Sequence, residues 1–330
     1  MDRLGAPWSN DPSGGGKSPP SHTPCVPARL STHFLTSGGD ALGDAFEDLA
    51  EDLERAITWL RSFGLRADIS RFGKNRKTLR EFNQIRKSGS VDLVRDTRVL
   101  QALVASLPDV YELTTIHRNL LSHADAYFIE RAKKLLKGPE READEKLTSI
   151  IGRNTGFELM LACKIAAGGV VPNFSGPGDL SVAHDLTRTN IECKRFQSRR
   201  NVDRVIADAC SQLKRRATEA PDLDSIGVIA LAIGKVIHRG EEVLVAGSRE
   251  SALEKLNMVT QEFVDEHHGV WQRNVGSAVD AVLIYLSAIA EIPATRSFLW
   301  TQTLGHFMVK EGREEYLEAF MKILRKSMMG

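Results

Sequence analysis

The sequence predicts an α/β protein in which helices flank a mixed central sheet, preceded by an all-helical module and a tail. Three observations predict this. Gly, Pro and Ser crowd residues 1–40, apolar residues recur at helical spacing up to residue 138, and short apolar runs alternate with helical stretches from about residue 149. The order helix, three strands, helix, strand is typical of a sheet covered on its faces. We therefore divide the chain into residues 1–40, 41–148 and 149–330.

The first two segments differ in how much apolar surface they can bury. The composition of residues 1–40 is typical of a disordered tail. In residues 41–148 apolar side chains recur every three or four positions, with Gly64 as a helix stop and Pro108 in the first turn of a later helix. The expected elements of this helical module are a helix over about 40–63, a basic loop or short helix over 71–80, and helices over about 90–106 and 108–137, the last with a candidate break near Ser122.

The third segment, residues 149–330, alternates helical stretches with short apolar runs. The expected helices span about 154–167, 202–220, 250–267 and 311–325. The expected strands lie at about 170–171, 179–182, 191–195, 226–237, 281–288 and 297–302. This alternation indicates a mixed sheet with helices on its faces.

The composition says more about the cellular compartment of the protein than about its binding partner. The formal net charge is +1, so overall charge alone selects no polyanionic partner. The four cysteines show neither a CxxC pair nor zinc-ligand spacing, which indicates reduced thiols in a cytoplasmic protein. No apolar stretch reaches roughly 18 residues without charges, so we expect no membrane span.

Two strand-like runs of the third segment carry charged residues that a sheet core would exclude. Asp179 opens the first run, and Glu192 and Lys194 lie two apart in the second. Strand side chains alternate faces, so Glu192 and Lys194 point the same way while Cys193 faces the other. If the runs pair as a hairpin, Asp179 lies beside Glu192, and two carboxylates and an ammonium group meet at one sheet edge. Such a group is costly in a core and useful in metal-assisted hydrolysis.

This element order and these residues resemble the PD-(D/E)xK nuclease superfamily, and within it the Mrr-like and junction-resolving branches. The resemblance covers about residues 150–235 and implies a restriction-endonuclease-like fold. It implies that Asp179 begins the second core strand and that residues 192–194 form the (D/E)xK motif. Glu158, on the preceding helix, matches an acidic residue that often completes the site.

The sequence departs from the family pattern at two positions. Gly178 stands before the Asp where the motif has Pro, which the family tolerates. Gln212 occupies a position where some members place a Gln, but Arg216 stands four residues later instead of a Tyr. The role of Gln212 is therefore less well supported than the role of the acidic residues.

The predicted chemistry needs a hard divalent cation and oxygen ligands. Carboxylates suit Mg²⁺, with Mn²⁺ as a substitute, and such an ion both neutralises the scissile phosphate and activates water. Lys194 would orient or deprotonate the attacking water, or stabilise charge on the phosphorane. By resemblance, the backbone carbonyl of Cys193 is a further ligand. The predicted metal ligands are Glu158, Asp179, Glu192 and Cys193.

A local excess of basic residues follows the motif, as contact with a phosphate backbone requires. An alternative interpretation of this excess is a solvated charged helix face. The predicted nucleic-acid-binding residues are Arg195, Arg199, Arg200, Gln212, Lys214 and Arg215.

Together these features predict a magnesium-dependent endonuclease, with DNA favoured over RNA as the substrate. The helical module would then select the target, form a homodimer or dock a partner protein. Two alternatives stay open. Arg118 and His123 match the RNxxxH pattern of HEPN-type RNases, which cleave RNA without a metal. The other alternative is a non-catalytic nucleic-acid-binding module that retains a nuclease fold.

Overall fold

A computed structural model describes nine stretches of the chain: residues 33–41, 46–88, 97–175, 179–184, 187–219, 225–238, 242–274, 278–295 and 297–329. The helices are α1 (Phe46–Ser62), α2 (Arg71–Lys87), α3 (Thr97–Leu120), α4 (Ala126–Leu135), α5 (Ile151–Ala167), α6 (Val202–Glu219), α7 (Gly234–His238), α8 (Arg249–Glu266), α9 (His268–Asn274) and α10 (Glu314–Met329). The strands are β1 (His33–Ala41), β2 (Leu180–His184), β3 (Thr187–Arg195), β4 (Ser225–Ala232), β5 (Val243–Val245), β6 (Ala281–Ile292) and β7 (Ser297–Met308).

The protein is a mixed α/β structure with helices on both faces of one sheet, and an N-terminal helical region precedes most of that sheet. The sheet order is β1-β7-β6-β4-β3-β2, and β5 pairs with β6 off this path. Strand β3 pairs in parallel with β4 and β4 with β6, whereas the pairs β2–β3, β6–β7 and β1–β7 are antiparallel. The predicted mixed α/β class is confirmed.

The helical region differs from the prediction at two places. The basic stretch 71–80 belongs to a 17-residue helix, α2, whose first turn is capped because the Ser70 side chain accepts a hydrogen bond from Phe72 N. Pro108 lies inside α3 instead of at the start of a helix. A proline removes one helical hydrogen bond, and the buried side chains of Leu107 and Val110 on either side hold the helix to the core.

Two predicted helix ends are confirmed. Gly64, with a φ of +76°, follows the end of α1, where a left-handed conformation favours glycine. The break predicted near Ser122 separates α3 from α4. Helix α4 begins where the Asp125 side chain accepts a hydrogen bond from Phe128 N at 2.8 Å.

The edge of the sheet holds the largest departure from the prediction. Residues 33–41 form strand β1 paired with β7, although the sequence placed most of them in the tail; residues 1–32 lie outside the described part. Strands β6 and β7 also continue to Ile292 and Met308, beyond their predicted ends. Because each strand supplies hydrogen-bond partners to its neighbour, pairing extends strands that look short by pattern alone.

Two strand predictions near the candidate site were also wrong. The run 226–237 ends as a strand at Ala232 and continues into the short helix α7, since a short apolar run does not by itself distinguish strand from helix. The strand expected at 170–171 is absent from the described residues. In its place a single bridge joins Asn173 to Ser181.

The core forms a layer on each side of the sheet. Side chains of β4 alternate between the two layers: Val228 and Ala230 join the layer that includes α1 to α5 and α10, whereas Ile229 and Leu231 join the layer that includes α6, α8 and α9. The first layer is one continuous cluster that contains side chains from both sides of residue 148, the predicted boundary between the helical module and the third segment. In the part of the chain that the structure covers, no helix is both long and apolar enough to cross a bilayer.

Candidate active site

The predicted hairpin brings the acidic residues of the two runs together. Strands β2 and β3 pair antiparallel with Leu180 opposite Ile191, so Asp179 lies across from Glu192. Asp179 Oδ2 accepts a hydrogen bond from Cys193 N at 2.9 Å, which ties the start of β2 to the motif. The Cys193 side chain points into the layer shared with α5, as its alternation predicts. Burial, with the neighbouring carboxylates, raises the pKa of its thiol, so the sulfur stays protonated.

One ammonium group is shared by both carboxylates. Lys194 Nζ donates a hydrogen bond to Glu192 Oε1 and lies 3.8 Å from Asp179 Oδ2. A third contact comes from α6, where Gln212 Oε1 accepts a hydrogen bond from the same nitrogen at 3.1 Å. Asp179, Glu192 and Gln212 therefore converge on a positive charge at the end of β3.

Glu192 is the buried member of the group. Its Oε2 forms an ion pair with Arg216 Nη2, and Arg216 Nη1 also donates a hydrogen bond to Ile191 O at 3.4 Å. Burial raises the pKa of Glu192, and the charge of Asp179 raises it further, while Lys194 and Arg216 oppose the shift. Arg216 thus has a defined partner, although from the sequence it was only a departure from the family pattern.

Glu158 joins the site through a residue that the sequence analysis did not single out. Arg131, on α4, places Nε 3.5 Å from Glu158 Oε2 and donates from Nη2 to Asp179 O at 3.0 Å. Its guanidinium also lies over the ring of Phe174, 5.0 Å from the centroid. Burial and the charge of Asp179 raise the pKa of Glu158 to about 8. No spacing pattern in the sequence links Arg131 to the motif.

The site has an outer and an inner layer of charge. The outer side chains retain some exposure, at 26% for Asp179, 23% for Lys194, 17% for Glu158 and 16% for Arg131. Beneath them, Glu192 is fully buried and Arg216 is 7% exposed. Three carboxylates thus face three cations, and solvent reaches only the outer four side chains.

The oxygen atoms of this site are of the chemical type that binds Mg²⁺. Asp179 and Glu192 are oxygen ligands of the type that Mg²⁺ prefers, and both already approach one cation, the Lys194 ammonium group. Glu158 instead pairs with Arg131. Accordingly, the described residues contain no group of three His, Cys, Asp or Glu side chains arranged to hold a metal ion. The part of the site whose donor type suits a divalent cation is therefore the acidic pair, Asp179 and Glu192.

The predicted nucleic-acid-binding residues divide into three sets, and the first is Gln212, which accepts the hydrogen bond from Lys194 Nζ. The side chain of Arg195 is only 8% exposed and forms ion pairs with Glu142 and Glu145, so it does not offer the open surface that phosphate contact requires. The remaining cations are exposed, and Arg199 lies 3.3 Å from Glu266. Four basic residues of this set face solvent: Arg199, Arg200, Lys214 and Arg215.

Arg195 belongs to a second ionic cluster, which we call the junction network because it joins α2, α3 and α5 to the end of β3. Asp109 contacts Arg71 at 3.1 Å and Arg153 at 2.9 Å, and Lys235 contacts Glu145 at 2.8 Å. The network borders a cavity of about 110 Å³. Its members are Arg71, Asp109, Glu112, Glu142, Glu145, Arg153, Arg195 and Lys235.

The two residues of the RNxxxH pattern have separate surroundings. Arg118 is exposed and forms an ion pair with Asp52 of α1. His123 follows the end of α3, and its ring packs beside Phe128 and Phe174, each 6.4 Å away between centroids. Both ring nitrogens of His123 are buried without a hydrogen-bond partner among the described residues.

Comparison of the chain with protein-family models, with curated proteins and with solved structures finds no match. The functional interpretation therefore depends on the geometry of the site.

Proposed function

We propose that this protein is a magnesium-dependent endonuclease of the restriction-endonuclease-like fold and that it hydrolyses phosphodiester bonds of DNA. The observation that carries the proposal is the convergence of Asp179 and Glu192 on the Lys194 ammonium group at one sheet edge. The order α5, β2, β3, α6 and β4, with β2–β3 antiparallel and β3–β4 parallel, supports the fold that the resemblance implies. The exposed cations of the segment 199–215 supply a surface for the phosphate backbone.

The residues that would hold Mg²⁺ are Asp179, Glu192 and, through its carbonyl, Cys193, with Glu158 as a further acidic ligand. When bound there, the ion would polarise the scissile phosphate and lower the pKa of a bound water molecule. Lys194 would exchange a proton with the attacking water or stabilise negative charge on phosphorus.

The surrounding residues position this lysine and its acidic partner. The hydrogen bond from Lys194 Nζ to Gln212 Oε1 fixes the ammonium group toward the carboxylates. Arg216 favours the ionised form of Glu192, since an opposite charge lowers the free energy of a buried carboxylate. Both contacts keep the reacting groups in place without needing a substrate to organise them.

The test is a cleavage assay on plasmid DNA, duplex and single-stranded oligonucleotides and RNA, each with Mg²⁺ or with EDTA. We expect DNA cleavage in Mg²⁺ and none in EDTA, and a loss of roughly a thousandfold in Lys194→Gln. RNA cleavage that persists in EDTA and in Lys194→Gln, but disappears in His123→Ala, would instead identify a metal-independent RNase. Salt-dependent binding without cleavage under any divalent ion would identify a non-catalytic nucleic-acid-binding protein.

A further inference from the structure

Arg131 has more hydrogen-bonding capacity than the described residues around it use. A guanidinium carries five N–H donors in a planar fork. Among the described residues Arg131 donates one hydrogen bond, from Nη2 to Asp179 O, and its buried Nε makes none although Glu158 Oε2 is 3.5 Å away. By contrast, Arg71 in the junction network donates to Asp109, Glu112 and two backbone carbonyls.

The position of Arg131 is fixed, so its unused donors are not a sign of a mobile side chain. Helix α4 begins at the Asp125 cap and buries Phe128 and Ala132 on either side of Arg131. The guanidinium packs over the ring of Phe174 at 5.0 Å from the centroid. A planar donor held in this way loses little conformational entropy when a ligand binds.

The ligand that suits these donors is an oxyanion at the outer layer of the site. Arg131 lies on the side that solvent reaches, together with Asp179, Lys194 and Glu158. An arginine binds a phosphate through two parallel hydrogen bonds, and these are stronger than bonds between neutral groups. Because Nε is buried against Glu158, the phosphate would bind the unused Nη donors, and the ion pair with Glu158 would remain.

We propose that Arg131 binds a backbone phosphate of the substrate nucleic acid, so that helix α4 contributes a substrate-contacting residue to the site. The inference deepens the proposed function and rests on it. It gives the helical region a direct part in substrate binding, through a residue 48 positions before Asp179 in the chain.

The test measures binding of a labelled DNA duplex by fluorescence anisotropy in EDTA, which prevents cleavage, over a series of salt concentrations. The variants are Arg131→Gln, Arg131→Lys and, as a matched control, Lys133→Gln, which removes an exposed charge from the same helix. We expect Arg131→Gln to weaken binding about tenfold and to lower the salt slope by about 1, the loss of one phosphate contact. Lys133→Gln should stay within about twofold of the wild type.

The lysine variant separates a phosphate contact from a structural role. Arg131→Lys keeps the charge but loses the fork, so binding should weaken about three- to fivefold with the salt slope unchanged. This comparison holds even if Arg131→Gln fails to fold. Equal affinities for the wild type and Arg131→Lys, or equal salt slopes for Arg131→Gln and Lys133→Gln, would overturn the proposal.

Failure of this inference and failure of the proposed function give different results. If the wild type binds DNA but never cleaves it, the proposed function falls while the salt slopes still decide whether Arg131 contacts a phosphate. Suppose instead that the wild type cleaves DNA in Mg²⁺ and that Arg131→Gln binds and cleaves DNA as well as the wild type. The endonuclease assignment then stands, and the proposed role of Arg131 is wrong.

Discussion

The junction network and the candidate active site are built from the same kinds of side chain, and both balance carboxylates against cations. They differ in how fully the charges are satisfied. In the network, Arg153 donates to Asp109 and to two backbone carbonyls, those of Pro139 and Glu140. In the site, Arg131 donates a single hydrogen bond among the described residues, and Asp179 and Lys194, at 26% and 23%, are more exposed than Glu142, the most exposed side chain of the network at 17%.

The difference separates a structural role from a functional one. Buried charges are tolerated when hydrogen bonds and ion pairs compensate their desolvation, as they do for Arg153 and Asp109 in the network. Gly156 leaves room for the Glu112 carboxylate in the network, because a Cβ at this position would lie 2.4 Å from its oxygens. A site that must bind a cation and a phosphate instead needs charged groups that solvent and ligands can reach.

The largest effect is expected from Asp179→Asn, which removes a ligand charge from the site. The Asn carbonyl can still accept the hydrogen bond from Cys193 N, so the fold is retained. We expect DNA cleavage in Mg²⁺ to fall by about a thousandfold, equivalent to about 4 kcal/mol in the activation barrier. The free energy of unfolding, measured in urea, should change by less than about 1 kcal/mol. A variant that cleaves at the wild-type rate would remove Asp179 from the mechanism.

The converse change lies in the network, where Arg153→Gln should affect stability. It leaves the buried Asp109 and Glu145 without one of their cations, and breaking a buried ion pair costs about 3–5 kcal/mol. Urea unfolding measures this loss. Arg55→Gln is the matched control, because Arg55 makes only exposed ion pairs on α1, worth under about 1 kcal/mol. Equal stability of the two variants would contradict a structural role for the network.

A smaller effect should appear as a pH dependence that comes from Glu112. Burial raises the pKa of this carboxyl from 4.5 to about 7, although the charge of Arg71 opposes the shift. Between these values the folded state binds more protons, so the stability that Glu112 contributes is lost as pH rises toward 7. Glu112→Gln should lack this pH dependence, which amounts to a change of about 3 kcal/mol in the free energy of unfolding. Urea unfolding from about pH 4 to about pH 8 measures it, and identical slopes would show that Glu112 does not titrate there.

The smallest effect is expected from the exposed cations of α6. Lys214→Gln combined with Arg215→Gln should weaken DNA binding several-fold and lower the salt slope by about 1–2, with unfolding unchanged within about 0.5 kcal/mol. Arg195→Gln should behave oppositely and lower stability, because Arg195 is buried against Glu142 and Glu145. Anisotropy and urea unfolding on the same two proteins test this contrast. A loss of affinity in Arg195→Gln alone would restore its predicted role in binding.

The local part of the site was predictable from the sequence. The two-residue period of a strand places Glu192 and Lys194 on one face and Cys193 on the other, and hairpin pairing then brings Asp179 to Glu192. These relations depend on residues close together in the chain, and the structure has the same hairpin.

The contacts that Arg131 and Arg195 make with distant parts of the chain were not predictable in this way. Arg131 contacts Asp179 across 48 positions of the chain, and Arg195 contacts Glu145 across 50. Neither contact has a spacing pattern, because the packing of the helices on the sheet creates it. The same reason applies to strand β1, whose pairing with β7 joins residues more than two hundred positions apart.

The most direct test of the account is whether the sheet-edge carboxylates, and not those of the junction network, bind a divalent cation. Isothermal titration of Mn²⁺ into the wild type, Asp179→Asn and Glu112→Gln compares one acid-to-amide change in each cluster. The account predicts that the wild type and Glu112→Gln bind Mn²⁺ with equal affinity and that Asp179→Asn binds at least about tenfold more weakly. Mn²⁺ binding that is unchanged in Asp179→Asn, or that is lost in Glu112→Gln, would contradict it.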